Sequence, residues 1–61
     1  MKFLRIEEVS DKVGLKRSAI YQLIKEGRFP RQVKLGRRSA VWVEAEIEAW
    51  IRELIEQRGD Q

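Results

Sequence analysis

The side chains of this chain that are equipped for chemistry are cationic, hydroxyl-bearing or amide-bearing, and they crowd into one stretch. Lys16, Arg17, Ser18, Tyr21, Gln22 and Lys25 stand close together, and Lys34, Arg37 and Arg38 follow. Arg and Lys donate to phosphate oxygens, while Arg, Gln and Ser can also bond base edges. A surface helix needs polar residues in any case, so the composition of this face does not decide the matter alone. Other chemistries have less to work with. There is no cysteine and no histidine, which excludes disulfides and any Cys/His zinc site. The hydroxyls of Ser10, Ser18, Ser39 and Tyr21 have no evident base beside them. Close carboxylates such as Glu7 with Glu8, or Glu44 with Glu46 and Glu48, fall at expected helix starts, where the helix dipole accounts for them. No glycine-rich phosphate loop is present. The expectation is a non-enzymatic protein with no catalytic residues, no metal and no cofactor.

Elements must position these side chains. Around the first group, Ala19, Ile20, Leu23 and Ile24 recur at helical spacing, with Gly14 breaking the pattern before them and Gly27 after. This predicts helix 2 from Lys16 or Arg17 to Glu26, with an apolar stripe inward and the polar group outward. Its N-cap is poor, because Lys16 stands where Ser, Thr or Asp would be expected. Helix 1 is expected over Ile6 to Val13, with Ile6, Val9 and Val13 as its stripe. Gly14 supplies a tight turn and Leu15 pins it. Helix 1, turn and helix 2 then form a helix-turn-helix, whose second helix enters the major groove with its N-terminal residues nearest the bases. Pro30 disfavours a helical Phe29, so the chain leaves helix 2 extended, with Phe29 as an anchor.

From Gln32 to Val43 the period changes to two, in short runs either side of Gly36-Arg37-Arg38. That reads as a β-hairpin with Gly36 allowing unusual turn geometry and two arginines at the tip. A hairpin of this kind has the form of a wing, and arginine suits phosphate or a narrow minor groove. Helix 3 is expected from Glu44 to Arg58, with Val43, Ile47, Trp50, Ile51 and Leu54 as a core stripe and Ile55 left outside it. Trp42 and Trp50 read as core that holds helix 3 and the hairpin to the rest. Phe3, Leu4 and Ile6 suggest a short strand or extended lead-in, and Gly59-Asp60-Gln61 a frayed tail. The fold expected is mainly α with a small β-hairpin: a winged helix-turn-helix running helix 1, turn, helix 2, hairpin wing, helix 3. All 61 residues make one domain of marginal stability.

Charge supports a polyanionic partner. The formal net charge of +3 is split unevenly, with eleven Lys/Arg against four Asp/Glu in residues 1–43 and two against six in 44–61. Such segregation is the footprint of a nucleic-acid binder, with the acidic helix turned away. No apolar run approaches the ~20 residues of a membrane span, and the N-terminus lacks a signal-peptide core. A cytoplasmic, nucleoid-associated location without membrane contact is expected.

Phe3-Leu4-Arg5, Val9, Gly14-Leu15, Ile20-Tyr21, Gly27-Arg28-Phe29-Pro30, Leu35-Gly36, Trp42 and Ile47-Glu48-Ala49-Trp50 stand in an order and spacing that resembles the AlpA family of phage and genomic-island DNA-binding regulators. The resemblance covers nearly the whole chain. It implies an excisionase-like, MerR-like winged helix-turn-helix, sequence-specific binding to double-stranded DNA, and a role in activating an integrase gene or directing excision of a mobile element. One reading helix reaches only a few base pairs, so integrase, RNA polymerase or further copies on adjacent sites are the expected protein partners. There are three departures from the pattern: Lys16 replaces the usual Ser, Ala19 the common Thr, and Val41 and Val43 flank Trp42 where Arg is frequent. The alternative function is a small protein-interaction module whose basic face docks an acidic partner. An RNA binder is disfavoured by the lack of an aromatic platform on a sheet and of a glycine-clamp loop.

Overall fold

A computed structural model describes residues 1–59; Asp60 and Gln61, part of the expected frayed tail, lie outside the described residues. The element order is β1 (Phe3–Leu4), α1 (Ile6–Val13), α2 (Arg17–Lys25), β2 (Val33–Lys34), β3 (Ala40–Val43) and α3 (Glu44–Gln57). Three helices thus surround a small antiparallel sheet of order β1-β3-β2.

Each helix has a local reason to start and stop. At α1, the Arg5 backbone N–H donates to Glu8 Oε1 at 2.8 Å, one half of a capping box. Gly14 closes the helix in the left-handed conformation at φ 74°, and its N–H donates to Ser10 O. The Ser10 hydroxyl donates to Leu15 O, which fixes the turn into α2. Lys16 caps α2 without a side-chain bond. The other end of α2 is better made. Gly27 takes φ 74°, its N–H donates to Ile24 O at 3.0 Å, and the Arg28 N–H donates to Leu23 O at 2.8 Å. This is a Schellman motif, and it satisfies two carbonyls that the helix leaves open. At α3 no side chain caps Val43, but the Glu44 N–H donates to Lys2 O at 2.9 Å, so the N-terminal segment satisfies one open donor.

The lead-in pairs as a strand. Phe3 lies opposite Val43 and Leu4 opposite Trp42. On the other side of β3, Val33 lies opposite Val41 and Lys34 opposite Ala40. The expected hairpin therefore becomes two strands of a three-stranded sheet, and β3 is central. Position in the sheet changes the burial the alternation suggested. Val41 and Trp42 are both buried, whereas Val33 and Leu35 on the edge strand side are exposed.

The core gathers Leu4, Val9, Ile20, Trp42 and Ile47, one each from β1, α1, α2, β3 and α3, with Phe29 from the segment after α2. Val13, Leu15, Leu23 and Ile51 pack around them, half-buried. Two expectations need correction. Leu54 is 47% exposed, so the core stripe of α3 ends near Ile51, while Ile55, expected outside the stripe, is 50% exposed. At 1.5 Å per residue the 14-residue helix outruns the small core beneath it. Gly36 is not among the glycines with positive φ, which are Gly14, Gly27 and Gly59 among the described residues. The hairpin turns without using the freedom expected of Gly36. The helices end at Lys25 and Gln57, one residue short of the expected Glu26 and Arg58, which serve as caps.

These backbone states give a graded test. A Cβ at Gly14, Gly27 or Gly36 would meet nothing within 4 Å, so only backbone conformation separates the three. Gly14→Ala and Gly27→Ala should each destabilise by about 1–2 kcal/mol, the cost of holding an L-residue left-handed. Gly36→Ala should be neutral or stabilising by up to about 1 kcal/mol through the unfolded chain. Urea unfolding of the three variants measures the difference.

Candidate nucleic-acid interface

The outward face of α2 is built by its own periodicity. Ile20 is buried, and Ala19, Leu23 and Ile24 are half-buried against the core. At 100° per residue, Arg17, Ser18, Tyr21, Gln22 and Lys25 then fall within an arc of about 140° on the opposite side. All five are exposed, and so is Lys16 at the cap. Lys34, Arg37 and Arg38 form a second exposed group on the hairpin, lining one shallow depression together with Gln32 and Ser39. The hairpin is closed by the Leu35 N–H donating to Ser39 O at 2.8 Å, which leaves Gly36, Arg37 and Arg38 as the tip.

One aromatic contact links the helix to the hairpin strand β3. Tyr21 on α2 and Trp42 on β3 have ring centroids 6.3 Å apart, tilted by 57°. Trp42 is fully buried, while Tyr21 remains 43% exposed. Tyr21 is thus both a packing bridge between the helix and the hairpin strand and part of the polar face. The placement of the hairpin relative to α2 rests further on the segment between them. Phe29 is buried and meets Trp50 edge-on, with centroids 4.6 Å apart. Trp42 Nε1 donates to Pro30 O at 3.1 Å, and Trp50 Nε1 donates to Arg28 O at 2.8 Å. Trp50 is half-buried, less enclosed than the core role expected of it.

Several polar and charged groups in this region have side-chain partners. Arg17 Nη2 donates to Glu7 Oε2 at 2.7 Å. The two side chains are 61% and 65% exposed. Gln22 Nε2 donates to Glu26 Oε2 at 3.0 Å, and the other oxygen of Glu26 lies 3.4 Å from Arg28 Nη1. Lys12 bridges to α3, with Nζ 3.1 Å from Glu48 and 3.8 Å from Glu44. Exposed pairs like these contribute about 0–1 kcal/mol each, so they do little for stability. Their effect is on orientation and on how many positive charges stand free. The Gln22–Glu26 pair was readable as an i, i+4 neighbour. Glu7 with Arg17 was not, because ten residues and a turn separate them.

Among the described residues, no group of three or more His, Cys, Asp or Glu side chains could hold a metal ion. A larger open groove runs between α3 and the Gly27–Pro30 segment, walled by Leu23, Phe29, Trp50 and Leu54 with Glu46 and Glu53 on its rim. None of the nine basic and polar candidates lines it. No helix among the described residues is long and apolar enough to cross a membrane.

In class, this is a small, mainly helical domain of three helices and a three-stranded antiparallel sheet, with an exposed polar face on its second helix and an exposed basic hairpin. The sequence model of the family described as "Prophage CP4-57 regulatory protein (AlpA)" matches residues 2–55, and the chain belongs to that family. It is 48% identical over 50 residues to "Uncharacterized protein ORF88" of Enterobacteria phage P4, covering 82% of this chain and 57% of that protein. It is 33% identical over 57 residues to "DNA-binding transcriptional activator AlpA" of Escherichia coli (strain K12), covering 84% of this chain and 81% of that protein. The chain thus spans little more than half the length of the phage P4 relative. No solved structure matches it significantly.

The double placement of Tyr21 is directly testable. Tyr21→Phe keeps the ring against Trp42 and should leave stability within about 0.5 kcal/mol, as surface changes usually do. Tyr21→Ala removes the aromatic contact and should cost about 1–2 kcal/mol. Chemical denaturation of the two variants separates ring from hydroxyl.

Proposed function

We propose that the chain is a sequence-specific double-stranded DNA-binding transcriptional regulator and that it works as a winged helix-turn-helix within one domain. The observation that carries this reading is the exposed polar face of α2, joined through Tyr21 and Trp42 to a hairpin with Arg37 and Arg38 at its tip. The printed name of the Escherichia coli relative, a DNA-binding transcriptional activator, supports it from outside the chain. In this reading α2 enters the major groove. Arg17 bonds guanine and Gln22 adenine, each worth about 1–3 kcal/mol of discrimination. Lys16, Ser18 and Lys25 bond phosphates at the groove edges, and the Tyr21 hydroxyl reaches a phosphate beside them. The hairpin acts as the wing, with Lys34, Arg37 and Arg38 on the backbone or in the adjacent minor groove.

One reading helix reaches only a few base pairs, and a single module buries about 600–1,000 Å² on DNA. Specificity then comes from repeated sites, from a partner such as RNA polymerase or integrase, or from both. Several copies on adjacent sites, with a bend that brings helix and wing into contact together, suit both activation of an integrase gene and excision of a mobile element. The protein works in the cytoplasm, where the nucleoid is.

The test is fluorescence anisotropy on a duplex obtained by selection from random sequence and on a shuffled control. Counterions released by phosphate contacts from Lys16, Lys25, Arg37 and Arg38, with Arg17 as a fifth only where it is not on a base, set a limit of about −4 to −5 on the slope of log K against log salt. Gln22→Ala should relax preference at one or two base pairs. Arg37→Ala and Arg38→Ala should weaken both duplexes alike and flatten the slope. A slope near zero, with tight binding to an acidic protein surface, would instead identify a protein-interaction module.

A further inference from the structure

The two side chains best suited to read bases are each held by a carboxylate. Arg17 donates one N–H to Glu7, from the first turn of α1, at 2.7 Å. Gln22 donates one N–H to Glu26, the C-cap of α2, at 3.0 Å. Neither glutamate is part of the core, and both are exposed. They are two of only four acidic residues in the basic segment 1–43. For a polyanion binder this placement is costly, because each carboxylate repels phosphate on every sequence alike. The return must lie in how the two readers are held.

The donor inventory shows that both readers keep what they need. A guanidinium has five N–H donors, and the bond to Glu7 uses one. Four remain, and a bidentate contact to guanine takes two. An ionised carboxylate only accepts, so Glu26 must face the Gln22 NH2 and turn the amide oxygen elsewhere. One N–H and the carbonyl oxygen are left free, which is the donor–acceptor pair that adenine requires. Glu26 is itself approached from the far side by Arg28 Nη1 at 3.4 Å. Each reader therefore has its fork oriented before DNA arrives.

Resting on the DNA-reading function proposed above, we infer that Glu7 and Glu26 are specificity-determining positioning residues, which orient the Arg17 and Gln22 side chains and withhold the Arg17 charge from phosphate on non-cognate DNA. Non-cognate DNA offers Arg17 only phosphate, and there Glu7 competes directly. Cognate DNA offers a guanine edge that Arg17 meets with Glu7 still bound. The carboxylates thus lower binding everywhere and lower it most where no base contact repays the loss.

The test uses the whole chain carrying Glu7→Gln or Glu26→Gln, with anisotropy titrations on the selected and shuffled duplexes over a range of salt, and unfolding curves beside them. Glu7→Gln should bind the shuffled duplex about 3–10-fold tighter and steepen the salt slope by about 0.9, the value of one added phosphate contact. The ratio of selected to shuffled affinity should fall by about 3–10-fold, part of the discrimination a bidentate contact supplies. Glu26→Gln should lower the ratio in the same direction. In an Arg17→Ala background, Glu7→Gln should leave the ratio unchanged, since its effect passes through Arg17. If wild type discriminates between the duplexes but Glu7→Gln and Glu26→Gln match its ratio and slope, the inference falls while the DNA-reading function stands. Equal weakening on both duplexes with a lowered unfolding midpoint would show a merely structural role and would also overturn it. If wild type binds no duplex, the DNA-reading function falls and the inference with it.

Discussion

Two indole N–H groups donate to carbonyls of one short segment, and the arrangement of the candidate interface depends on that double tether. Trp42 on β3 holds Pro30 O, and Trp50 on α3 holds Arg28 O. Between these points Phe29 is buried. The segment leaves α2 through a Schellman turn, and Pro30 keeps Phe29 out of helical conformation. The direction in which the chain departs from the polar helix is therefore set at three consecutive residues by three aromatic side chains. Large aromatics suit the task because each buries about 150–250 Å² and tryptophan adds a polar handle. A chain of 61 residues has little core to spare, so a few such contacts must do most of the positioning.

Charge is divided along the same lines. The acidic residues of α3 are not idle balance for the basic half, since Glu44 and Glu48 take Lys12 from the end of α1. That cation belongs to the scaffold and not to the free basic surface. Arg17 is shared in a similar way with Glu7. The lopsided charge of the sequence therefore overstates the number of free cations on the α2 face, and the hairpin tip carries relatively more of the free positive charge.

The helices were legible because their signals are local. Ile20 and its half-buried neighbours fix the inward side of α2 by spacing alone, and Gly14 and Gly27 mark its limits by a conformation that other residues rarely adopt. The polar face was legible for the same reason, as the complement of the stripe. What sequence could not carry was non-local. Phe3 and Leu4 suggest a short strand or lead-in, but nothing in so short a run names its partner, which is the open edge of β3. Leu54 continues the α3 stripe, but nothing in the spacing says how far the core beneath it extends. The partners of Arg17 and Lys12 come from helices that meet only after folding. The residue type of Gly36 suggests a backbone freedom that the turn does not use.

The central claim is that α2 and the hairpin form one DNA-facing surface, with α3 behind it. Amide chemical shifts of the isotope-labelled chain, followed while the selected duplex is titrated in, test this most directly. Shift changes should concentrate on residues 16–25 and 34–38, with those of 46–57 nearly still. Changes concentrated instead along α3 and the groove beside Phe29 and Leu54, with 16–25 unmoved, would contradict the account.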